Sequence, residues 1–161
     1  MGLLHYFLGL KVSQSTSGIK ISQTKYPLDL LHKFQMAECN PVGSPFLSGV
    51  RLEDGVTTPL VDSTLYRQLV GSLLYLTHTC PDLSYVVSVV SKYMQEPHQL
   101  HWKVAKRILR YVKGTPRFGI NYATNCPLSL VGYTDSYWAG DVIDPKSTLG
   151  YVFIFGSGPL Y

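Results

Sequence analysis

The feature that most constrains the fold is a run of apolar residues at helical spacing between residues 62 and 114. In its first part leucines recur every three or four positions, which places them on one face of a helix: Leu65, Leu69, Leu73 and Leu76. Asp62 precedes them, and its short carboxylate can accept hydrogen bonds from the unpaired amides of a first turn. The pattern therefore predicts a largely buried helix that begins at Ser63, with Asp62 as its N-cap.

A second helix is predicted from the sequence that follows Thr79. Thr79 is the expected cap and Pro81 fits an early helical position, where its missing amide is not needed. Its buried stripe is expected to contain Leu83, Val86, Val87, Val90 and Met94. We expect the helix to end at Glu96, because a residue before proline is disfavoured in the helical region.

A third helix, over residues 99–113 with Gly114 as its C-cap, is apolar on one side and basic on the other. Each of its cations lies three or four residues from another one, so that all five share a face: Lys103, Lys106, Arg107, Arg110 and Lys113. Between Pro97 and Thr134 there is no Asp or Glu. In a chain with a formal net charge of only +4, this face is the predicted electropositive site.

Two interpretations of this basic face remain open. Lysine and arginine often extend from an apolar helix into solvent, so the face can be an ordinary hydrated surface. Cations at this spacing without acidic neighbours repel one another, however, and phosphate groups would relieve that repulsion. The pattern favours contact with an RNA/DNA hybrid or another nucleic acid.

Strands are expected on both sides of the helical block, which gives an α+β fold class. A hairpin over Tyr6–Ser13 and Ile19–Ser22, with its turn at Ser15–Gly18, precedes a short helix after Pro27. That helix should turn Leu28, Leu31 and Phe34 to one side, with Leu30 nearby. A long connection over residues 38–61 is expected to cross the surface as a functional loop or linker. Candidate strands 119–122, 128–135 and 150–155 follow the block, and their sheet would have an edge open to another chain.

Several classes of protein and site are disfavoured. No apolar run approaches the roughly 20 residues that span a bilayer, and the first 12 residues are a poor signal peptide. The three cysteines are odd in number and widely spaced, which indicates free thiols in a reducing compartment. We therefore expect an intracellular protein, cytoplasmic or nuclear, without a membrane partner.

His98 and His101 have a spacing compatible with a metal, but no third ligand is evident, so surface histidines are expected.

Short motifs spread in order along the chain carry a resemblance to a known family. They include Phe7-Leu8-Gly9, residues 22–26, 66–71, 79–82, 107–115 and 133–141, followed by Lys146-Ser147-Thr148. Together they resemble the Pol polyprotein of copia-type retrotransposons. The parent protein copies RNA into DNA and degrades the RNA strand of the hybrid.

The resemblance implies a position within that polyprotein, from the C-terminal part of the reverse transcriptase region into the start of the ribonuclease H domain. Residues 1–61 would hold a primer-grip-like hairpin at Phe7, Leu8 and Gly9, a short helix and the long connection. Residues 62–117 would be the helical block of the reverse transcriptase C-terminal region. Residues 118–161 would be the truncated start of a ribonuclease H-like domain, with incomplete antiparallel strands.

The resemblance also implies the metal chemistry of the parent enzyme. Asp135 matches the first ribonuclease H carboxylate, although taken alone such an aspartate is more often a turn or strand-end residue. The further carboxylates that hold two Mg²⁺ ions belong to segments beyond Tyr161, and the Tyr-x-Asp-Asp turn of the polymerase does not occur in the sequence. A fragment with no complete metal site, no cofactor of its own and no catalysis by itself is expected.

Two alternatives to this nucleic-acid-binding fragment stay open. The chain can be an interaction module that pairs its incomplete strands with a longer polymerase or ribonuclease H chain. It can also be a transposon relic with no selected function.

Overall fold

The computed structural model describes residues 3–46, 49–137 and 148–160, and for residues 135–137 and 148–150 it describes the backbone. Within these ranges the chain is mixed α and β, with two antiparallel sheets. The α-helices are α1 (Tyr26–Lys33), α2 (Ser63–Thr77), α3 (Ser84–Ser91) and α4 (Gln99–Gly114). Short 3-10 helices occupy Leu52–Thr57 and Pro81–Leu83. In the described part of the chain no helix is both long and apolar enough to cross a membrane.

Helix α2 confirms the predicted N-cap. The Asp62 carboxylate accepts hydrogen bonds from the amides of Thr64 at 2.7 Å and Leu65 at 3.2 Å. Of the four predicted leucines, Leu69, Leu73 and Leu76 are fully buried but Leu65 is exposed, as is Leu74 on the same helix. At about 100° per residue these two side chains fall at the edges of the buried arc, which is narrower than the sequence pattern indicates.

Helix α3 is shorter than predicted and begins differently. Thr79 is buried and does not cap the helix, because its hydroxyl donates to Gln23 Oε1 at 2.8 Å. The 3-10 turn at Pro81–Leu83 precedes α3, and α3 ends at Ser91 rather than at Glu96. Its valine-rich sequence has a low helix propensity. Ser88 and Ser91 also donate to carbonyls three residues earlier, and such bonds compete with helical ones.

The core lies among the four α-helices. At its centre the Tyr66 hydroxyl, fully buried, donates to the Val90 carbonyl at 2.8 Å. Burial raises the pKa of this tyrosine well above its usual range, with a smaller contribution from Tyr93. In α1 the prediction for Leu28 was wrong, because the side facing the core carries Leu30 and Leu31 and leaves Leu28 exposed.

The first sheet has four strands in sequence order: β1 (Tyr6–Phe7), β2 (Leu10–Ser15), β3 (Gly18–Ser22) and β4 (Gly119–Ala123). The predicted single strand Tyr6–Ser13 is broken by a tight turn at Leu8 and Gly9, whose φ angles are 48° and 81°. Two consecutive positive φ angles suit a two-residue hairpin turn.

Strand β4 belongs to this sheet and not to the C-terminal strands with which it was predicted. It pairs with β3 in antiparallel register, Ile120 opposite Ile21. Gly119 permits the approach, since a Cβ there would lie 2.4 Å from the Ile21 carbonyl oxygen. The chain that leaves α4 therefore extends the N-terminal hairpin.

The second sheet contains β5 (Leu130–Tyr137), β6 (Thr148–Phe155) and β7 (Gly158–Leu160), in that order. Strands β5 and β6 cover the two later predicted strands, and β7 was not predicted. The sheet is joined to the first one where Tyr122 donates its hydroxyl to the Pro159 carbonyl at 2.6 Å. The Ala123 amide also donates to Ser157 Oγ at 2.7 Å.

Candidate nucleic-acid interface

The position of α4 depends on a buried histidine at its first turn. His101 is fully buried, so the prediction of a surface histidine was wrong for this residue. Its Nδ1 accepts from the His98 amide at 2.9 Å, and its Nε2 lies 2.9 Å from the Leu52 carbonyl oxygen. Because Nδ1 accepts, the proton is on Nε2, which donates to Leu52. Burial lowers the pKa of His101, so the neutral ring is favoured.

The 3-10 turn at Leu52–Thr57 packs directly on this histidine. A Cβ on Gly55 would lie 2.5 Å from His101 Nε2, so only glycine fits there without displacement. Leu52 is 3% exposed. The long connection therefore enters the core at this point instead of only crossing the surface. The described residues contain no group of three or more His, Cys, Asp or Glu side chains that could hold a metal ion.

Three of the five predicted cations form the first part of the basic face, and we call Lys103, Lys106 and Arg107 the open cations. Lys103 is exposed, and Lys106 and Arg107 are half-buried. Lys106 Nζ lies 5.5 Å from the centroid of the Trp102 ring, a cation–π distance. The Nε atom of Arg107 is buried and has no hydrogen-bond partner among the described residues.

The other two cations, which we call the docked cations, hold a neighbouring segment. Arg110 Nε donates to the Asn40 carbonyl at 2.8 Å, and Lys113 Nζ donates to the Ala37 carbonyl at 2.5 Å. In the reverse direction the Val42 amide donates to the Arg110 carbonyl at 3.3 Å. These bonds fasten the start of the long connection along the C-terminal half of α4.

A further contact on α4 was not predicted from the sequence. The Tyr111 hydroxyl donates to the Asp82 carboxylate at 2.5 Å and ties α4 to the turn before α3. Burial, together with this hydrogen bond and the charge of Asp82, raises the pKa of Tyr111 to about 12. No sequence pattern relates these two residues, which lie 29 positions apart.

The predicted primer-grip-like residues form the tip of the first hairpin. Phe7 and Leu8 are 58% and 77% exposed, so neither side chain faces the core. The Tyr75 hydroxyl donates to the Leu8 carbonyl at 2.7 Å, and a Cβ on Gly9 would lie 2.3 Å from that hydroxyl. The Tyr26 ring packs edge-on against Tyr75 at 4.7 Å between centroids. The turn is thus fixed against α2, with its apolar side chains exposed.

Asp135 lies in β5, where its Cα pairs with that of Gly150. Its predicted role as a carboxylate of a metal site concerns the side chain and stays a prediction. The remainder of the motif after Tyr137 falls outside the described residues. The three sets of predicted site residues therefore belong to three elements: the first hairpin, α4 and the second sheet.

Comparison with known proteins shows that nearly the whole chain is similar in sequence to transposon polyproteins. It is 45% identical over 157 residues to the retrovirus-related Pol polyprotein from transposon RE2 of Arabidopsis thaliana. It is 33% identical over 169 positions to the corresponding polyprotein from transposon TNT 1-94 of Nicotiana tabacum. An uncharacterized mitochondrial protein of Arabidopsis thaliana is 38% identical over 157 residues.

The matches cover nearly all of this chain but differ in how much of each relative they include. They span 98%, 99% and 97% of the chain, respectively. The same matches span 11% of the RE2 polyprotein, 13% of the TNT 1-94 polyprotein and 65% of the mitochondrial protein. No family model matches the chain, and no solved structure matches it at significant similarity.

Proposed function

Because the chain belongs to the family of copia-type retrotransposon Pol polyproteins, we propose that it serves as a nucleic-acid-binding portion of such a polyprotein. It would extend from the C-terminal part of the reverse transcriptase region into the start of the ribonuclease H domain. The open cations of α4 would contact the phosphate backbone of an RNA/DNA hybrid.

One observation carries this proposal: the open cations make no hydrogen bond or ion pair with any described residue. The docked cations lie on the same helix and have backbone carbonyls as partners. Phosphate oxygens would supply charged acceptors to the three side chains that lack one. Three phosphate contacts on a duplex correspond to a salt slope of about −2.7 in a plot of log affinity against log salt concentration.

The test is the affinity for an RNA/DNA hybrid measured over a range of salt concentrations. We compare the original chain with the variant Lys103→Gln, Lys106→Gln, Arg107→Gln. We expect a slope smaller in magnitude by about 2 to 3 in the variant, and an affinity at low salt reduced at least about 10-fold.

A matched control removes the same charge elsewhere, through Lys33→Gln, Arg51→Gln and Arg67→Gln. This variant separates specific contact from a general loss of positive charge. Equal slopes and affinities in the open-cation variant and in this control would refute the assignment to α4.

We propose further that this chain is not catalytic by itself. Two-metal phosphoryl chemistry needs several carboxylates that converge on the ions, and the described residues do not fit such a site. Magnesium-dependent primer extension or hybrid cleavage by the purified chain, abolished by Asp135→Asn, would contradict this proposal.

A second candidate function is assembly with a longer polymerase or ribonuclease H chain, and the second sheet favours it. In the described structure β5 pairs only with β6 and forms an edge, where another strand can add through main-chain hydrogen bonds. Exposed apolar side chains lie on this edge strand, among them Leu130 at 63% and Tyr133 at 59%.

The test mixes the chain with a ribonuclease H domain of a copia-type Pol polyprotein and measures the size of the product. A complex that Tyr133→Lys prevents, and that Leu60→Lys leaves intact, supports assembly through the β5 edge. Leu60 is a suitable control because it is similarly exposed, at 61%, but lies outside the sheet. Two separate species in the original mixture would exclude this candidate.

A further inference from the structure

A second basic surface lies in the first sheet, on elements other than α4. A groove of about 600 Å³ is lined there by Lys11, Lys20 and Arg117, with Ser13, Ser22 and Thr24 between them. Its volume falls within the range of ligand sites. No acidic side chain lines it.

The arrangement follows from the pairing of β2 and β3. Both strands carry the order lysine, apolar residue, serine: residues 11–13 and residues 20–22. In the antiparallel register Lys11 faces Ser22, and Ser13 faces Lys20. The four side chains therefore alternate on one face of the sheet. The two lysines are diagonal neighbours, whose Cα atoms are expected about 7–8 Å apart.

Arg117 completes the cationic rim from the segment that joins α4 to β4. Lys20 Nζ donates to the Arg117 carbonyl at 3.3 Å, which holds the lysine near this segment. Across the described ranges, none of the three cations has an ion-pair partner. Three like charges in one groove repel one another, and an anion would relieve this repulsion.

The remaining lining specifies the kind of anion. The hydroxyls of Ser13, Ser22 and Thr24 have no hydrogen-bond partner in the described structure and are suited to phosphate oxygens. Leu28 and Pro116 form an apolar wall on the same groove. Leu28 is 46% exposed there. Cations, hydroxyls and an apolar wall together match a nucleotide unit better than a bare phosphate ion.

We propose that this groove is a second nucleic-acid contact, which binds the phosphate and sugar of one nucleotide of a single-stranded segment. The inference rests on the proposed function for the class of ligand but not for the place of binding. The groove and the open cations belong to different elements, so each assignment can fail separately.

The experiment measures the affinity of the full chain for a short single-stranded oligonucleotide as a function of salt. It compares the original chain, the groove variant Lys11→Gln, Lys20→Gln, Arg117→Gln, the open-cation variant and the matched control. We expect the groove variant to bind at least about 5-fold more weakly at low salt, with a slope smaller in magnitude by about 0.7, the value for one phosphate contact on a single strand. Glutamine keeps much of the stem of each side chain, and circular dichroism verifies the fold.

The outcomes distinguish the two assignments. A groove variant that binds like the matched control overturns this inference, and a weakened open-cation variant would still support the proposed function. If instead the groove variant binds more weakly and the open-cation variant binds like the matched control, the groove assignment is supported and the assignment to α4 is refuted. Should the triple variant unfold, Arg117→Gln alone replaces it, because that side chain is exposed. We expect the single change to weaken binding at low salt relative to the original chain, and an unchanged affinity overturns the inference.

Competition with inorganic phosphate tests whether the groove binds the phosphate of a nucleic acid or free phosphate. At equal ionic strength we expect phosphate to displace the oligonucleotide no better than chloride does. Displacement by phosphate from the original chain but not from the groove variant would assign a free-phosphate site and overturn the nucleic-acid contact.

Discussion

The two halves of the basic face of α4 both consist of lysine and arginine but have different surroundings. The docked cations, Arg110 and Lys113, donate to carbonyls of the segment that follows α1. The open cations have no such partner among the described residues. The comparison shows that a periodic charge pattern identifies a face, whereas the chain packed beside that face decides which charges remain available to a ligand.

The largest effect is expected at the residue that positions both halves. His101→Ala removes two hydrogen bonds, leaves the Leu52 carbonyl and the His98 amide unpaired, and opens a cavity in the core. We expect the free energy of unfolding to fall by about 3 kcal/mol, measured by urea denaturation. A loss below about 1 kcal/mol would show that α4 does not depend on this histidine.

The pH dependence of the free energy of unfolding provides an independent check on this role of His101. Burial lowers the pKa of folded His101, so below the unfolded value of about 6.5 the unfolded chain binds a proton that the folded chain does not. Stability is therefore fully present above that pH and falls as the pH decreases through the folded pKa. We expect this acid dependence to be weaker in His101→Gln than in the original chain.

The next effect sharpens the contrast between the halves. Arg110→Gln with Lys113→Gln removes two hydrogen bonds from partly exposed donors, so we expect a loss of about 2 kcal/mol. Limited proteolysis should then cut first within residues 37–42, which those bonds hold. Unchanged stability and cleavage would mean that the docked cations do not fasten this segment.

A smaller effect is expected at Tyr111, which lies in the docked half. Tyr111→Phe loses the hydrogen bond to Asp82 and should be less stable by about 1 kcal/mol at pH 8. The folded pKa of Tyr111 is about 12, above the unfolded value of about 10. The original chain therefore loses stability as the pH rises from about 10 to 12, and the difference from the variant narrows. A constant difference over that range would contradict this linkage.

The smallest change in stability is expected in the open half. The free energy of unfolding of the variant with all three open cations changed to Gln should lie within about 0.5 kcal/mol of that of the original chain, because these side chains donate to no described residue. Its nucleic-acid affinity should nevertheless decrease. A loss of stability as large as that of the docked-pair variant would contradict the conclusion that only the docked cations stabilise the fold.

Much of the helical framework could be predicted from the sequence. Asp62 caps α2 as expected, since the interaction involves amides two and three residues away. Helix α4 follows its apolar period over its whole length. Such features depend on near neighbours in the chain, so local pattern is sufficient to find them.

Contacts between distant segments were not accessible in this way. Thr79 was predicted to cap a helix, but it pairs with Gln23, 56 positions away. Strand β4 was grouped with the strands that follow it and instead extends the first hairpin. His101 looked like a surface residue because nothing local indicates that the 3-10 turn at Leu52–Thr57 covers it.

By itself the sequence determined the family, the four α-helices and the basic face of α4, because family motifs, caps and periodicity are properties of the chain. Only the tertiary structure decided which cations on that face are docked, and that the lysines of β2 and β3 meet Arg117 in one groove. Each of those arrangements joins residues far apart in sequence, and their distance in space follows from packing and strand register.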